Sequence, residues 1–85
     1  MTGIYKITNM VNGHFYIGLS VKIPRRFVEH KTPRNLAKPS VLARAMRKHG
    51  KQNFVLDVIE ECREDELSDR EMFWISQLKP HYNIS

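Results

Sequence analysis

The sequence has only one cysteine, Cys62, and no apolar run as long as the ~20 residues that cross a membrane. A single thiol excludes an internal disulfide, which suits a reducing, cytoplasmic compartment. The four histidines are far apart, so the ligand spacing of a zinc site is absent. No glycine-rich loop is present that would hold a nucleotide phosphate. We therefore expect neither a membrane partner nor a zinc or nucleotide site.

Acidic residues are also scarce relative to basic ones: 9 aspartates and glutamates face 14 lysines and arginines, for a net charge of +5. In a small domain this excess favours polyanionic partners, with nucleic acid first, although a solvated basic surface explains the charge equally well. A chain of 85 residues buries about 60% of its unfolded surface. We therefore predict a single domain over residues 1–85, of modest stability.

A β-hairpin is predicted at the start of the chain. Residues 3–8 and 14–18 carry β-forming side chains. Between them, Asn12-Gly13 is the strongest short hairpin signal, because both residues tolerate positive φ. Alternation along the first strand places Tyr5 and Ile7 on one face of the sheet.

Two helices are predicted next. Pro24 suits the first turn of a helix that ends at about residue 31, and the two prolines within residues 32–39 indicate a loop. Ser40 is a candidate N-cap for the second helix, which is predicted to end at His49, directly before Gly50.

The rest of the chain predicts one more strand and one more helix. Residues 53–60 are rich in β-forming side chains, and residues 65–78 form the longest helical pattern, which Pro80 ends. The resulting order is ββααβα. We therefore predict an α+β fold in which a small three-stranded antiparallel sheet is flanked by helices.

The longest helix carries a carboxylate on its apolar face. Leu67, Trp74, Ile75 and Leu78 form one stripe, and Glu71 lies within it. A buried carboxylate is costly unless it is paired or bound to a cation. The alternative to a functional role is a glutamate satisfied by an arginine or by backbone donors, since structural ion pairs also place carboxylates on such faces.

The first helix also carries polar side chains on its inward face. Ile23 and Phe27 define that face, His30 continues it, and Arg26 borders it one turn before His30. The alternatives here are a core histidine with satisfied nitrogens and an arginine whose stem packs on Phe27 while its head stays in water.

A domain of this size is expected to have one core, so that Glu71, Arg26 and His30 meet at one cleft, with Tyr5 and Tyr16 of the hairpin beside them. Such a set of groups suits phosphodiester chemistry. A guanidinium matches phosphate oxygens in bidentate fashion, and a lone carboxylate can anchor Mg²⁺, which takes further ligands from water and substrate phosphate. The sequence therefore predicts an Mg²⁺ or Mn²⁺ site at Glu71 near a phosphate site at Arg26.

These residues lie within motifs of a known family. The tripeptides Gly-Ile-Tyr at residues 3–5 and Tyr-Ile-Gly at residues 16–18 match the motifs of the GIY-YIG nucleases. Arg26 follows the second tripeptide at the spacing of that family's arginine, and His30 stands one turn later, as in its homing-endonuclease branch.

The resemblance continues to the end of the chain. Residues 70–75, around Glu71, resemble the segment that bears the metal-binding glutamate of the GIY-YIG family. Residues 82–84 (Tyr-Asn-Ile) resemble its closing asparagine motif, in which Asn83 is expected to fix the site geometry through hydrogen bonds or to have a structural role. Nearly the whole chain is covered, in the family's order.

The resemblance implies an endonuclease that hydrolyses DNA phosphodiester bonds with a divalent metal, most similar to the catalytic domain of phage intron-encoded homing endonucleases. It makes Tyr5 the favoured general base, with Tyr16 beside it and His30 as the alternative base or a proton relay. Arg26 would stabilise charge on the phosphate, and Glu71 would hold the metal. The competing functions are a non-catalytic nucleic-acid-binding module and a structure-specific repair or recombination nuclease of the same fold.

The chain departs from the family pattern at two places. Leu19 stands where some relatives carry a lysine, and Lys22 or Ser20 are the candidates for that role. Some homing enzymes carry a second histidine before the second helix, whereas residues 32–39 have none here, and Lys38 is the candidate substitute.

Basic residues on the two predicted helices and the segment between them are candidates for contacts with the DNA backbone, which position DNA without determining sequence. They are Lys22, Arg25, Lys31, Arg34, Lys38, Arg44 and Lys48. Sequence-specific members of the family usually carry a separate recognition domain, so a targeting domain or partner protein is expected. An apolar patch at Met72 and Phe73 leaves oligomerisation open.

Overall fold

The fold is built on one three-stranded antiparallel sheet, as predicted. The computed structural model describes residues 1–83, so residue 84, the last of the closing motif, lies outside the described part together with residue 85. The strands are β1 (Gly3–Asn9), β2 (Phe15–Ser20) and β3 (Phe54–Glu61), arranged in the order β2-β1-β3. The hairpin strand β1 is therefore central, and β2 lies at an edge.

The register of the sheet determines which hairpin residues share a face. Tyr5 of β1 lies opposite Gly18 of β2, and Ile7 lies opposite Tyr16. On the other side of β1, the pairing with β3 shifts by one residue next to Tyr5, which is a β-bulge. The two family tripeptides are thus neighbours on adjacent strands.

Two of the predicted helices form with the expected ends. Helix α1 (Ile23–His30) has its proline in the first turn, and α3 (Val41–His49) begins after Ser40, whose side chain accepts a hydrogen bond from the Ala43 N–H. Gly50 follows with a φ of 88°, a left-handed conformation that glycine adopts without strain.

The predicted loop over residues 32–39 is wrong in one respect, because it contains a single helical turn, α2 (Pro33–Leu36). Thr32 caps this turn by accepting a hydrogen bond from the N–H of Asn35, and Pro33 occupies the first helical position. Threonine followed by proline is a helix start signal. Here it outweighs the tendency of proline to break helices.

The last helix begins slightly later than predicted. A 3-10 turn (Glu64–Glu66) precedes α4, which spans Leu67–Leu78. Apart from the one-turn α2, the order of elements is the predicted ββααβα. Within residues 1–83, every helix is too short or too polar to cross a lipid bilayer.

The expectation of one core is wrong, because the sheet has an apolar cluster on each face. Alternating residues of β1 face opposite sides. One cluster contains Tyr5 and packs against α1 and α3, and the other contains Ile4 and Ile17 and packs against α4 through Leu67. Helix α1, with Arg26 and His30, therefore packs on one face of the sheet, and α4, which carries Glu71, packs on the other.

Candidate active site

The central contact of the site joins the first tripeptide to α1. The hydroxyl of Tyr5 lies 2.9 Å from Nε2 of His30, and the Tyr5 side chain is 1% exposed. The ring of Tyr16 lies 6.3 Å from that of Tyr5 and 5.5 Å from that of His30, centroid to centroid. The two phenols and the imidazole thus form one compact group.

The glycines of both tripeptides are needed for close packing. A Cβ atom on Gly18 would lie 2.5 Å from the Cζ and hydroxyl oxygen of Tyr5. On Gly3, it would lie 2.1 Å from the backbone oxygen of Glu60 on β3. These distances are shorter than van der Waals contacts, so a side chain at either position would displace Tyr5 or separate the strands.

Burial and neighbouring charges keep this group electrically neutral. Burial raises the pKa of Tyr5 and of Tyr16, and the Arg26 guanidinium only partly opposes the rise. Burial, with the positive charges of Arg26 and Lys38, lowers the pKa of His30 to about 4. At neutral pH the phenols are therefore protonated and the imidazole is uncharged, so Nε2 can accept the Tyr5 hydroxyl proton.

An acidic residue that the sequence analysis missed orients Arg26. Glu29 lies 3.4 Å from the Arg26 guanidinium and 3.5 Å from that of Arg25. Arg26 is still 40% exposed, so its donors remain accessible to a ligand. The i, i+3 and i, i+4 spacing of these charges on one helix was the signal that pointed to this contact.

Glu71 lies beside the phenols but not in direct contact with Arg26. It stands on α4, which packs against β2, and its negative charge contributes to the raised pKa of both Tyr5 and Tyr16. Burial raises the pKa of Glu71 itself. Within residues 1–83, the Glu71 side chain has no hydrogen bond or ion pair. The structure therefore does not show the alternative in which an arginine pairs with Glu71.

Asn83 is bonded to the edge strand. Its Oδ1 accepts a hydrogen bond from the Ile17 N–H at 2.8 Å, and its Nδ2 donates to the Ile17 carbonyl at 2.7 Å. Ile17 stands between Tyr16 and Gly18, so this pair of bonds fixes the backbone of the second tripeptide. The asparagine acts on β2 as a neighbouring strand would.

A cleft of about 770 Å³ opens beside this group, between α1, α3 and the end of the chain. The residues that line it are Tyr16, Arg26, His30, Asn35, Lys38, Pro39, Ser40, Val41, Leu42, Ala43, Arg44, Tyr82 and Asn83. Glu71 is not among them. The sequence analysis had not named Asn35, since an isolated asparagine carries no pattern, and it had named Tyr82 only as part of the closing asparagine motif.

The predicted DNA contacts fall into separate groups. Lys38 and Arg44 line the cleft, and Lys22 and Arg25 line a smaller depression next to Arg26. The remaining three lie elsewhere on the surface: the Lys31 ammonium lies 4.0 Å from the ring centroid of Phe27, and Arg34 and Lys48 are exposed.

The two departures from the family pattern have different surroundings. Leu19 packs in the apolar cluster of Ile4 and Ile17 on the far face of the sheet, so a side chain there points away from Tyr5. Ser20 and Lys22 line the smaller depression, whereas Lys38 lies in the cleft and its charge acts on His30.

Comparison with known proteins agrees with this geometry. The sequence model of the GIY-YIG catalytic domain family matches residues 1–83 of this chain. The solved catalytic domain of the homing endonuclease I-TevI is 32% identical, with a TM-score of 0.84 over 100% of this chain and 99% of that one. A glutamate-to-alanine mutant of the I-TevI domain is also 32% identical, with a TM-score of 0.85 over 99% of this chain and 93% of that one. No curated protein matches the chain. The chain therefore belongs to the GIY-YIG family of catalytic domains, and it is an endonuclease.

Proposed function

We propose that this endonuclease hydrolyses phosphodiester bonds of DNA with the help of Mg²⁺ or Mn²⁺, as a catalytic domain of the homing-endonuclease kind. The observation that carries the proposal is the hydrogen bond between Tyr5 and His30, 2.9 Å long, beside an accessible guanidinium. A proton acceptor and an anion-binding group on one cleft are what the hydrolysis of a phosphodiester needs.

The first step moves one proton along two side chains. Tyr5 cannot act as a base by itself, because burial raises its pKa and keeps the phenol protonated. It can take a proton from the attacking water only as its own hydroxyl proton passes to Nε2 of His30. The water then attacks phosphorus as hydroxide, the bond from phosphorus to the leaving oxygen breaks, and His30 holds the proton as imidazolium. Tyr5 thus passes the proton on, and His30, which lines the cleft, is the final acceptor.

Substrate binding makes His30 a better acceptor. Burial lowers the pKa of His30, and the positive charges of Arg26 and Lys38 lower it further. A DNA phosphate next to these two side chains would offset their positive charges, and nearby negative charge raises the pKa of an imidazole. Proton transfer to His30 is therefore favoured only after DNA is in place.

Arg26 binds the phosphate in this proposal. Its guanidinium stays charged at any working pH and can donate two parallel hydrogen bonds to phosphate oxygens. As water attacks, charge grows on those oxygens, and a donor already in position stabilises it. Glu29 keeps the guanidinium in place from the helix side, at 3.4 Å.

Glu71 fits the metal better than any other carboxylate. It is a half-buried oxygen ligand with no protein partner in the described part of the chain. Residues 1–83 contain no cluster of three or more metal-ligating side chains, which suits an ion that keeps its waters rather than one enclosed by protein. When bound, the ion would polarise the phosphate and stabilise the leaving oxygen.

The test is the nicking of supercoiled plasmid DNA in the presence of Mg²⁺. We expect Arg26→Ala to lose about 10²- to 10³-fold in rate, as when a donor to a developing oxyanion is removed. Glu71→Ala should lose its metal-dependent cleavage. Matched controls are Asp69→Ala, an exposed carboxylate on the same helix, and Arg63→Ala, an exposed arginine directly before the 3-10 turn. Both should cut like the parent, and undiminished cutting by either site variant would reject its assigned role.

The same samples separate the competing functions. A protein that binds the plasmid but never nicks it would be a nucleic-acid-binding module. Parallel cleavage of duplex, branched and single-stranded DNA distinguishes a structure-specific nuclease from a homing-type enzyme. The matched I-TevI structures are of a catalytic domain, and we propose that targeting of this domain likewise comes from a separate domain or partner.

A further inference from the structure

Arg47 of α3 is bonded to the segment that follows α2. Its Nη1 donates hydrogen bonds to the backbone carbonyls of Leu36 and Lys38, the latter at 2.8 Å. Carbonyls at the end of a helix have no partner within the helix, and a cation near them is favourable. The sequence analysis had not singled out Arg47, and it does not line the cleft.

The other end of the same segment is also fixed. Nδ2 of Asn35 donates to the carbonyl of Glu29 on α1 and to the side-chain oxygen of Thr32. The segment of residues 32–38 is therefore tied to α1 at its start and to α3 at its end. Connections of this length on a protein surface are usually its mobile parts. Here, internal hydrogen bonds hold the connection in one conformation.

This segment carries a positive charge into the cleft. Lys38, whose own backbone carbonyl accepts a hydrogen bond from Arg47, lines the cleft together with Arg26, His30 and Arg44. Its charge already acts on His30. A lysine there is well placed for the DNA backbone beside the phosphate that Arg26 serves.

We propose that Arg47 is a positioning residue, which holds Lys38 in the wall of the cleft so that its ammonium contacts a phosphate next to the one being cut. The proposal rests on the proposed DNA-cleaving function. A mobile segment would have to be ordered each time DNA binds, and that cost weakens binding. With Arg47 in place, the segment is already ordered in the folded protein before DNA binds. The effect of Arg47 on cleavage must then pass through Lys38.

The kinetic test is a double-mutant cycle on supercoiled plasmid nicking. Arg47→Gln should raise KM about fivefold, as the loss of a preordered contact does, with kcat nearly unchanged, and Lys38→Gln should raise KM by at least as much. The double variant should be no worse than Lys38→Gln alone. Arg63→Gln, which removes the same charge elsewhere, should leave KM within twofold. Multiplicative effects in the double variant would overturn the proposal, because Arg47 would then act on DNA independently.

A second measurement does not need nuclease activity. The amides of Ala37 and Lys38 are hydrogen-bonded to the carbonyls of Pro33 and Asn35. In Arg47→Gln their hydrogen exchange should accelerate, while the Gly50 amide, bonded to Met46 at the end of α3, stays protected. Unchanged hydrogen exchange at Ala37 and Lys38 would overturn the proposal that Arg47 holds this segment in place. A parent protein that nicks no DNA would instead overturn the proposed function.

Arg47→Lys guards against a variant that fails to fold. It keeps the charge but loses the planar guanidinium. We expect exchange at the Lys38 amide, and KM, to lie between those of the parent and of Arg47→Gln. If both the exchange rate and KM of Arg47→Lys equalled those of the parent, charge alone would matter at this position, and the proposed role of the Arg47 guanidinium would be overturned.

Discussion

Tyr5 and His30 stand 25 positions apart in the sequence and share a hydrogen bond of 2.9 Å in the fold. The contact joins the central strand to the inward face of α1, where a side chain is largely shielded from water. Burial disfavours the charged form of each partner, so it raises the pKa of the phenol and lowers that of the imidazole. The pair is therefore neutral before DNA arrives, and it gains one positive charge when His30 takes up the proton.

The low pKa of His30 predicts a loss of stability in mild acid. The folded-state value is about 4, against 6.5 for an ordinary imidazole. Between these values the unfolded chain binds a proton that the folded chain does not, so the free energy of unfolding falls as the pH drops from 6.5 to 4. The slope from this residue is at most about 1.4 kcal/mol per pH unit. Urea unfolding of the parent and His30→Gln at pH 7 and pH 5 measures it.

His30→Gln should lose distinctly less stability over that interval than the parent. His49→Gln serves as the matched histidine control and should behave like the parent. Equal losses in the parent and in His30→Gln would mean that His30 titrates normally in the fold.

The packing of Gly18 predicts a loss of activity from a single added methyl group. In Gly18→Ala the new Cβ would meet the hydroxyl end of Tyr5, so that side chain or the strand must move. We expect a destabilisation of about 1–3 kcal/mol and a large fall in kcat for plasmid nicking. Gly13→Ala is the control. An alanine is strained at the φ of 79° that Gly13 adopts, but no atom lies within 4 Å of the added Cβ.

Gly13→Ala should lower stability by about 1 kcal/mol and leave kcat unchanged. If both glycine variants lost activity in proportion to their stability, the contact between Gly18 and Tyr5 would have no special part in catalysis.

The two hydrogen bonds of Asn83 predict a graded series. Asn83→Asp can still accept from the Ile17 N–H but cannot donate to the Ile17 carbonyl, and Asn83→Ala keeps neither bond. Each bond is worth about 0.5–1.5 kcal/mol. Thermal unfolding should therefore rank parent, aspartate and alanine in that order, and the nicking rate should follow the same order. An alanine variant with the parent's kcat would show that β2 needs no support from Asn83.

Metal binding at Glu71 is expected to be visible in the fluorescence of Trp74. Trp74 is the only tryptophan, and it lies one turn along α4 from Glu71 on the same helical side. Mn²⁺ is paramagnetic, so its binding at Glu71 should quench Trp74 with a saturable dependence on concentration. Glu71→Ala should lose this quenching, whereas Asp69→Ala should retain it. Identical titrations of the two variants would place the ion elsewhere.

Much of the fold follows from local signals in the sequence. Asn12-Gly13 predicts the hairpin, Ser40 and Gly50 mark the ends of α3, and the helical stripe that contains Leu67 predicts α4. The turn α2 was missed because Pro33 was counted as a helix breaker, although after Thr32 it starts a helix. Local patterns predict an element correctly where the residues at its ends have a single clear preference. They fail where a residue has two opposing tendencies.

The site was predictable as a set of residues but not as an arrangement. The inward positions of His30 and Glu71 follow from helical periodicity, and periodicity does not tell which face of the sheet each helix covers. The number of apolar clusters depends on how both faces of β1 are packed, which is a property of the whole chain. For the same reason, the bonds from Asn83 to Ile17 and from Arg47 to Lys38 could not be deduced from spacing.

The bonds between Asn83 and Ile17 join positions 66 residues apart. Long-range contacts of this kind close large loops and come late in folding. A chain still emerging from the ribosome would therefore hold its second tripeptide unsupported until residue 83 is free. A fragment ending at residue 80 should accordingly nick plasmid no faster than Asn83→Ala, and full activity in it would contradict this. The backbone of the second tripeptide would thus gain the support of Asn83 only after residue 83 has left the ribosome.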